Sequence, residues 1–396
     1  MMNAKRAIPF EVHATARLPL GMPAARFLRE YWQKQPLLIR GGFGKEFTSP
    51  ITPNDLAGLA CEPMALSRLI VHSPRADRWR VENGPLAEQR FSKLPKTHWT
   101  LLVQDVDKWD ADVAALYRYI DFLPSWRLDD IMISYAVTGG SVGAHVDQYD
   151  VFLLQGLGHR RWQIDANVDP PLAFRDDVAL KLLREFNPSH EWVLAPGDAL
   201  YLPPGVPHHG VALDECMTIS LGMRAPSAGE LILDLAESLV VDLPEDQRYA
   251  DPDLLARADR QLIDAGDIRR LKSAMAALHT LDDAQLGDWF GGFITRYRMA
   301  QTPAPSGRPF TEAALTHKLT RGARLIRHPF ARLAASRSGQ AYHVFFAGDR
   351  FVVSKRLYRL LSHPEQIDGA TWSGLTAKER QSLLTIINSG HFGVGR

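Results

Sequence analysis

Gly139-Gly140-Ser141-Val142-Gly143-Ala144-His145-Val146-Asp147 is a glycine-rich turn that runs into a predicted β-strand. Side chains two positions apart on a strand point to the same side. His145 and Asp147 are therefore expected to share one face. This pattern predicts that an imidazole and a carboxylate converge on one point inside a β-barrel.

A second segment supplies a third group of the same kind. It is Gly197-Asp198-Ala199-Leu200-Tyr201-Leu202-Pro203-Pro204-Gly205-Val206-Pro207-His208, in which a turn and a short strand precede a rigid proline-rich loop that presents His208. Two histidines and one carboxylate on one face of a metal ion are typical of mononuclear non-haem Fe(II) that activates oxygen. We therefore predict an iron site formed by His145, Asp147 and His208, with the neighbouring His209 as the alternative third ligand.

The sequence between about residues 79 and 224 is a series of short strand-like runs separated by Gly, Pro, Asp and Asn. This pattern favours a β-sandwich or a barrel. After Arg224, leucines and aromatic residues recur at helical spacing, and a proline-rich stretch at 302–307 precedes a last region with a β-hairpin signal. The fold class predicted is mixed α/β with a mainly β core.

Composition excludes several classes of protein. The 396 residues suggest two or three domains, and the hydrophobic fraction of 45% with 23% charged residues is typical of a folded globular chain. Lys and Arg number 46 against 45 Asp and Glu, so the formal charge of +1 argues against direct nucleic-acid binding. No signal peptide is apparent in residues 1–10, and no apolar run predicts a membrane span. The two cysteines, Cys61 and Cys216, favour a reducing cytoplasm over a disulfide framework.

Arg160 and Arg161 are adjacent on a predicted strand that begins after a Gly-rich turn. Neighbouring residues on a strand point in opposite directions, so one of the two guanidinium groups can face the barrel interior. A buried guanidinium requires an anion, such as a dicarboxylate cosubstrate. A pair of surface arginines is the alternative.

These motifs resemble the Jumonji C type of cupin and, within it, the bacterial ribosomal oxygenases that hydroxylate an arginine of a ribosomal protein. The resemblance extends over nearly the whole chain. It is carried by Tyr31-Trp32-Gln33-Lys34-Gln35-Pro36, Trp126-Arg127-Leu128-Asp129-Asp130-Ile131-Met132-Ile133-Ser134, His145-Val146-Asp147-Gln148-Tyr149-Asp150-Val151-Phe152, Tyr201-Leu202-Pro203-Pro204-Gly205-Val206-Pro207-His208 and Gly222-Met223-Arg224-Ala225-Pro226.

The resemblance implies a double-stranded β-helix, a helical dimerisation segment and a winged-helix-like C-terminal domain. The domains implied are 17–225, 226–302 and 303–396. Fe(II) is expected as the cofactor, with 2-oxoglutarate and O2 as cosubstrates. The expected partners are a ribosomal protein, the sixteenth of the large subunit, and a second copy of the chain in a homodimer.

The resemblance also assigns roles within the cosubstrate site. Arg160 takes the place of the basic residue that grips the distal carboxylate of 2-oxoglutarate. The family has a hydroxyl residue at the position of Ala136, so that contact is missing here, and Ser134 is the candidate substitute. If the target is an arginine, its cationic head is expected to meet Asp129, Asp130, Tyr149 or Asp150.

Two other functions remain open from the sequence. The same iron chemistry serves a demethylase or a hydroxylase of another protein target. A cupin that binds a metal or ligand without turnover is the alternative from another class. In that case a cluster of basic residues in the C-terminal domain would contact nucleic acid or a partner. That cluster consists of Arg321, Arg324, Arg327, His328 and Arg332.

Overall fold

The computed structural model describes residues 10–44, 46–244, 248–255, 263–339 and 341–395. The chain forms two compact units, residues 1–225 and 226–396, and each is described by itself. A further division of the second unit between residues 302 and 303 stays a prediction. The expected absence of a signal peptide concerns residues that are largely outside the described ranges. No helix in the described ranges has the length and apolar character that a membrane span requires.

The first unit is built mainly from β-strands. Its strands are β1 (Glu11–His13), β2 (Leu37–Arg40), β3 (Ser67–Ser73), β4 (Arg78–Asn83), β5 (Trp99–Val103), β6 (Leu128–Ala136), β7 (Val151–Leu157), β8 (Arg160–Ile164), β9 (His190–Leu194), β10 (Ala199–Leu202), β11 (His208–Ala212) and β12 (Cys216–Met223). Its helices are α1 (Ala24–Glu30), α2 (Pro53–Cys61) and α3 (Ala111–Ala114), with 3-10 turns at Pro74–Ala76, Glu88–Lys93, Val106–Lys108, Ala115–Ile120 and Ser125–Arg127.

The strands form two sheets that make up a double-stranded β-helix. The large sheet has the order β1-β2-β10-β7-β12-β6-β5-β3-β4, and the small sheet has the order β11-β8-β9. Strand β1 runs parallel to β2, whereas β6 and β12 in the centre of the sheet are antiparallel. Residues of β12 are buried along its whole length, as expected for a central strand covered on both faces.

Several local predictions are confirmed. The apolar run after Pro36 predicts a short buried strand, which is β2, and the sequence predicts a helix capped near Thr52 or Asn54, which is α2 with a capping box between Thr52 and Asp55. The expected strand through His145 and Asp147 is wrong, because His145 forms only an isolated bridge with His208. The turn residues around Gly143 interrupt the ladder there, so a loop carries these two side chains.

The second unit contains helices and a smaller set of strands. They are α4 (Ala228–Asp242), α5 (Ala265–Ala274), α6 (Asp283–Arg296), α7 (Glu312–Thr320), β13 (Arg324–Arg327), β14 (Leu333–Ser338), β15 (Ala341–Phe346), β16 (Asp349–Val353), α8 (Lys355–Ser362), α9 (Gly369–Ser373), α10 (Ala377–Ile386) and β17 (Phe392–Gly395), with 3-10 turns at Ala276–His279 and Pro364–Gln366 and a π-turn at Ile387–His391. The predicted hairpin is confirmed as β15 and β16.

Helices α4 and α6 leave an apolar groove in the second unit. It is lined by residues that include Leu231, Leu235 and Trp289. The Trp289 indole donates a hydrogen bond of 2.9 Å to Asp234, which joins the two helices. The sequence predicts that this face forms a homodimer, and that association stays a prediction.

Candidate metal and cosubstrate site

Three side chains of the first unit meet at the inner face of the barrel. The potential ligand atoms of His145, Asp147 and His208 all lie within 4.8 Å of one another. The His208 Nε2 atom is 3.7 Å from an Asp147 carboxylate oxygen. Two imidazole nitrogens and a carboxylate at this spacing can hold one divalent transition-metal ion on one face.

The loop that carries His145 depends on a glycine. Gly143 has a φ of +82°, and a Cβ atom there would lie 2.6 Å from the Leu182 side chain. Only glycine tolerates both the left-handed backbone and this close approach. After this turn, the backbones of His145 and His208 are joined by two reciprocal N–H···O hydrogen bonds, with N···O distances of 3.1 and 2.9 Å.

Both histidines of the cluster are oriented by the backbone. The Nδ1 atom of His145 lies 2.9 Å from the Gly143 carbonyl oxygen, and that of His208 lies 2.9 Å from the Val206 carbonyl oxygen. A donor at Nδ1 leaves the Nε2 lone pair free for a metal. Burial, reinforced by the His145 ring, lowers the pKa of His208 to about 4, so its imidazole is neutral at pH 7.

The alternative ligand His209 lies outside this cluster. Its Nε2 atom is 3.0 Å from the Ser141 hydroxyl. His208 is the first residue of β11 rather than part of the preceding loop, and alternation along that strand turns the next side chain away. The geometry therefore favours His208 over His209.

Arg160 reaches into the same cleft. Its side chain is 4% exposed, and its Nε and Nη2 atoms have no hydrogen-bond partner among the described residues. Its guanidinium carbon lies 5.8 Å from the centre of the Trp162 ring. A buried cation with two unpaired donors is costly unless an anion completes it. Arg161, on the opposite side of β8, is only partly buried.

A row of small side chains lies beside Arg160. Ala136 packs against Ala212, which is the register partner of Arg160, so the three residues are neighbours across the barrel. Ser134 is buried in the cleft, and its hydroxyl is 3.5 Å from the Thr218 carbonyl oxygen, a weak contact. Ser134 therefore lies where the predicted contact with the cosubstrate is possible, and that contact stays a prediction.

Thr100 is the residue that sequence reasoning missed. It pairs in register with Ala136, and its hydroxyl is buried without a partner in the described part of the chain. Leu102 and Gln104 of the same strand parity line the cleft, so Thr100 faces the same interior. The position of Thr100 opposite Ala136 became apparent only from the register of β5 and β6.

The structure divides the four residues expected to hold a cationic substrate into two that line the cleft and two that are engaged in other contacts. Asp130 and Tyr149 line the cleft together with the cluster. Burial, followed by the carboxylates of Asp129, Asp105 and Asp107, raises the pKa of Asp130 to about 7. Burial, helped by the Asp147 carboxylate, also raises the pKa of the Tyr149 hydroxyl, which therefore stays protonated.

Asp129 and Asp150 are engaged elsewhere. Asp129 pairs with Arg224 at 3.1 Å. Asp150 is completely buried and accepts hydrogen bonds from the Tyr201 hydroxyl at 2.6 Å, the Gln33 amide at 2.9 Å and Arg127 at 3.0 Å. These contacts give Asp150 a structural role at the end of the ligand loop.

Models of known protein families match this chain and agree with the geometry of the site. A family model described as the JmjC domain matches residues 115–231, and one described as a ROXA-like winged helix matches residues 275–392. The first unit is therefore a Jumonji C cupin, a class defined by this barrel. The predicted winged helix in the C-terminal region is confirmed.

Individual relatives define the family more closely. The chain is 38% identical over 304 residues to the ribosomal protein uL16 3-hydroxylase of Escherichia coli, which is 76% of this chain and 79% of that protein. It is 40% identical over 238 residues to a probable ribosomal oxygenase of Haemophilus influenzae, covering 60% of this chain and 56% of that protein. The chain belongs to the ribosomal oxygenase family of enzymes.

Solved structures give the same result. The X-ray structure of E. coli YcfD matches with a TM-score of 0.83 and 33% identity, over 95% of this chain and 99% of that one. The structure of YcfD in complex with cobalt and 2-oxoglutarate matches with a TM-score of 0.78 and the same identity of 33%, over 95% of this chain and 99% of that one. The predicted fold class and family are thereby confirmed.

Proposed function

We propose that the chain is an Fe(II)- and 2-oxoglutarate-dependent oxygenase that hydroxylates a side chain of a ribosomal protein, specifically an arginine of uL16. One observation carries the proposal: His145, Asp147 and His208 share a cleft with the buried, unpaired guanidinium of Arg160. A site for a metal and a site for an anion thus lie side by side. The names of the relatives supply the ribosomal target.

The donor set fits iron. His145, Asp147 and His208 would hold Fe(II), because two neutral imidazoles and one carboxylate suit this ion and leave other positions open. With 2-oxoglutarate and O2, the bound iron supplies the oxidising power to hydroxylate an unactivated carbon. The backbone carbonyls behind the two rings keep the Nε2 atoms directed inward, which reduces the cost of assembling the site.

Arg160 would hold the distal carboxylate of 2-oxoglutarate. A guanidinium group pairs with a carboxylate through two parallel N–H···O hydrogen bonds, and the two unpaired nitrogens of Arg160 offer such a pair. The Trp162 ring beside it forms an apolar wall. This wall excludes water, which strengthens the pairing and fixes the orientation of the cosubstrate.

We assign to Thr100 the hydroxyl contact that Ala136 cannot make. The Thr100→Val variant is expected to weaken 2-oxoglutarate binding about tenfold, the value of roughly one hydrogen bond to a charged group. Its thermal stability is expected to be unchanged or higher, because an unpaired buried hydroxyl is removed. Calorimetric titration of the metal-loaded protein without oxygen measures the affinity.

Two further variants test the choice of hydroxyl. Thr100→Ser retains the hydroxyl and is expected to bind 2-oxoglutarate nearly as well as the unchanged protein. Ser134→Ala is expected to have a small effect, because Ser134 already contacts a backbone carbonyl. If Ser134→Ala weakened binding tenfold while Thr100→Val did not, the assignment would pass to Ser134.

Asp130 would receive the cationic head of the substrate. Its carboxyl is half-buried in the cleft and has a pKa of about 7. Only the ionised carboxylate pairs strongly with a guanidinium, so the KM for the substrate is expected to fall as the pH rises from 6 to 8. In Asp130→Asn, the KM is expected to be at least roughly tenfold higher and independent of pH over this range. Steady-state kinetics over that pH range measure both.

Protein stability supplies a second readout for Asp130. The folded pKa exceeds the ordinary value of 3.8, so the folded state retains a proton that the unfolded state releases. Stability is therefore lost between about pH 4 and 7, and Asp130→Asn is expected to melt at a higher temperature than the unchanged protein at pH 8. A lower melting temperature for the variant, with an unchanged KM, would show that Asp130 is a structural residue.

Mass spectrometry tests the proposed function directly. uL16 is incubated aerobically with the chain, Fe(II) and 2-oxoglutarate, and a gain of one oxygen on an arginine is expected. Formation of succinate without modification of uL16 would support the oxygenase activity but contradict uL16 as the substrate. Loss of a methyl group from a methylated substrate, with release of formaldehyde, would indicate a demethylase. Absence of succinate with a panel of ribosomal proteins would contradict an oxygenase.

A further inference from the structure

Charge is unevenly distributed along this chain. Residues 303–396 contain 14 Lys and Arg residues but only five Asp and Glu residues. Residues 1–302 contain 32 Lys and Arg residues and 40 Asp and Glu residues. The formal charge of +1 for the whole chain therefore conceals a strongly basic C-terminal region. Such asymmetry within a sequence is a mark of interaction with polyanions.

Many of these cations are free for a partner. Some do form ion pairs, such as Arg350 with Asp288 at 2.6 Å and Arg380 with Glu312. Others are exposed and have no carboxylate within 4 Å in the described part of the chain. They are Arg308, Lys318, Arg321, Arg327, Arg337, Lys355, Arg359 and Lys378. Acidic side chains do occur among them, since Glu365 and Asp368 follow α8 and Asp368 lies 3.5 Å from Arg324, but within residues 303–396 they number five against 14 cations.

Helix α8 shows the strongest local excess of positive charge. Lys355 and Arg356 lie four and three positions before Arg359, and all three are exposed, whereas Leu357 and Leu361 are buried on the other face. No acidic residue occupies the first turn of α8. Cations at the N-terminal end of a helix oppose its dipole, so helix stability does not account for them.

Other basic residues lie around the segment that follows α8. The 3-10 turn Pro364–Gln366 packs against β13, which carries Arg324 and Arg327. The end of α7, with Lys318 in its last turn, touches the start of α9, since a Cβ on Gly369 would lie 2.8 Å from the Thr320 Cα atom. The basic groups of α7, β13 and α8 thus surround one part of the domain.

The side chains on this surface suit a phosphate backbone rather than bases. Among the described residues of 303–395, no Phe, Tyr or Trp is strongly exposed, and the exposed large apolar residues are Ile326 and Val352. Proteins that bind single strands stack bases on aromatic side chains. Lys and Arg without such platforms are typical of contacts to the phosphates of a double helix.

We propose that the basic surface formed by α7, β13 and α8 binds the phosphate backbone of a nucleic-acid duplex. Binding there would be an activity distinct from that of the cleft, and it departs from the expectation, based on net charge, that the chain does not bind nucleic acid directly. The duplex can be RNA or DNA, because the shared chemistry is a regular array of phosphates. The proposal does not rest on the proposed function, since binding is measured without substrate or cosubstrate.

Fluorescence anisotropy of a labelled RNA duplex and a DNA duplex of the same sequence tests the proposal with the full chain. Binding to at least one duplex is expected, and its affinity is expected to fall roughly 100-fold or more between about 50 and 200 mM salt. In the triple variant Lys318→Gln/Arg321→Gln/Arg359→Gln, the affinity at low salt is expected to fall at least tenfold. The slope of log affinity against log salt is expected to decrease by about 2 to 3.

A matched variant controls for net charge. Arg75→Gln/Lys93→Gln/Lys96→Gln removes three exposed cations from the first unit and is expected to keep the affinity within about twofold. Both triples are checked by thermal melting. An equal loss of affinity in the two triples, or no binding of the unchanged chain to either duplex at low salt, would overturn the proposal. Binding to polyglutamate but to neither duplex would overturn it in favour of an acidic protein partner.

Discussion

The His208→Ala variant is expected to lose bound iron and at least roughly 1,000-fold of its hydroxylation rate, because a bound metal contributes several kcal/mol to the reaction. His208 supplies one of the three potential ligands, and the ligand atoms of the other two residues lie within 4.8 Å of it and each other. A site reduced to one imidazole and one carboxylate holds a divalent ion weakly. Iron content after gel filtration and the rate of succinate formation measure the two losses.

His209→Ala is the matched control for this experiment. It removes an identical ring from the next residue, and that ring contacts the Ser141 hydroxyl instead of the cluster. Iron content is expected to be retained and the rate to remain within a few-fold of the unchanged protein. The reverse result, with His209→Ala losing iron and His208→Ala keeping it, would contradict the ligand assignment.

The Arg160→Met variant is expected to raise the dissociation constant for 2-oxoglutarate roughly 100-fold, since a pair of charge-assisted hydrogen bonds is worth about 3 kcal/mol. Iron binding is expected to be unchanged, because Arg160 is absent from the ligand cluster. Removing a buried cation without a partner is also expected to raise the melting temperature of the protein without cosubstrate. Calorimetric titration and thermal melting measure the two effects.

Arg161→Met serves as the comparison. Arg161 lies next in sequence on the opposite side of β8 and is only partly buried, so its replacement is expected to change 2-oxoglutarate affinity less than threefold. An affinity loss of similar size in both variants would indicate a general effect of positive charge near the cleft. A loss confined to Arg161→Met would place the carboxylate contact on the other side of the strand.

The short-range sequence patterns predicted much of the fold. The apolar run of residues 37–40 after a proline predicts β2, and a capping residue at Thr52 or Asn54 before a helical pattern predicts α2. These features depend on neighbours within a few positions, which a single sequence contains. The pairing order of the large sheet depends on contacts between distant segments, so the sequence patterns do not specify it, and the resemblance to a known family implies only a double-stranded β-helix.

The candidate site was predicted in part for the same reason. His145 and Asp147 were expected to converge through the alternation of a strand, and they do converge, but on a loop that includes Gly143. The two side chains are therefore close together as expected, but the backbone that places them is a loop rather than a strand. The proposed role of Thr100 could not be found from the sequence, because it depends on the register of Thr100 opposite Ala136 on another strand.

The charge of the C-terminal region shows a different limitation. The sum over all 396 residues is +1 and argues against nucleic acid. The uneven distribution of charged residues is visible in the sequence, but the net charge of the whole chain does not show it. Which cations are exposed and unpaired required the structure, as with Arg380, whose charge is engaged by Glu312.

Asp150 ties the loop of residues 137–150, which carries His145 and Asp147, to the rest of the first unit. Its carboxylate is held by Tyr201, Gln33 and Arg127, which belong to three separate segments of the chain. A loop fixed in this way has no inexpensive local opening. The His145 amide, which lies outside the regular strands and donates to the His208 carbonyl oxygen at 3.1 Å, is therefore expected to exchange with solvent about as slowly as the amides of β7.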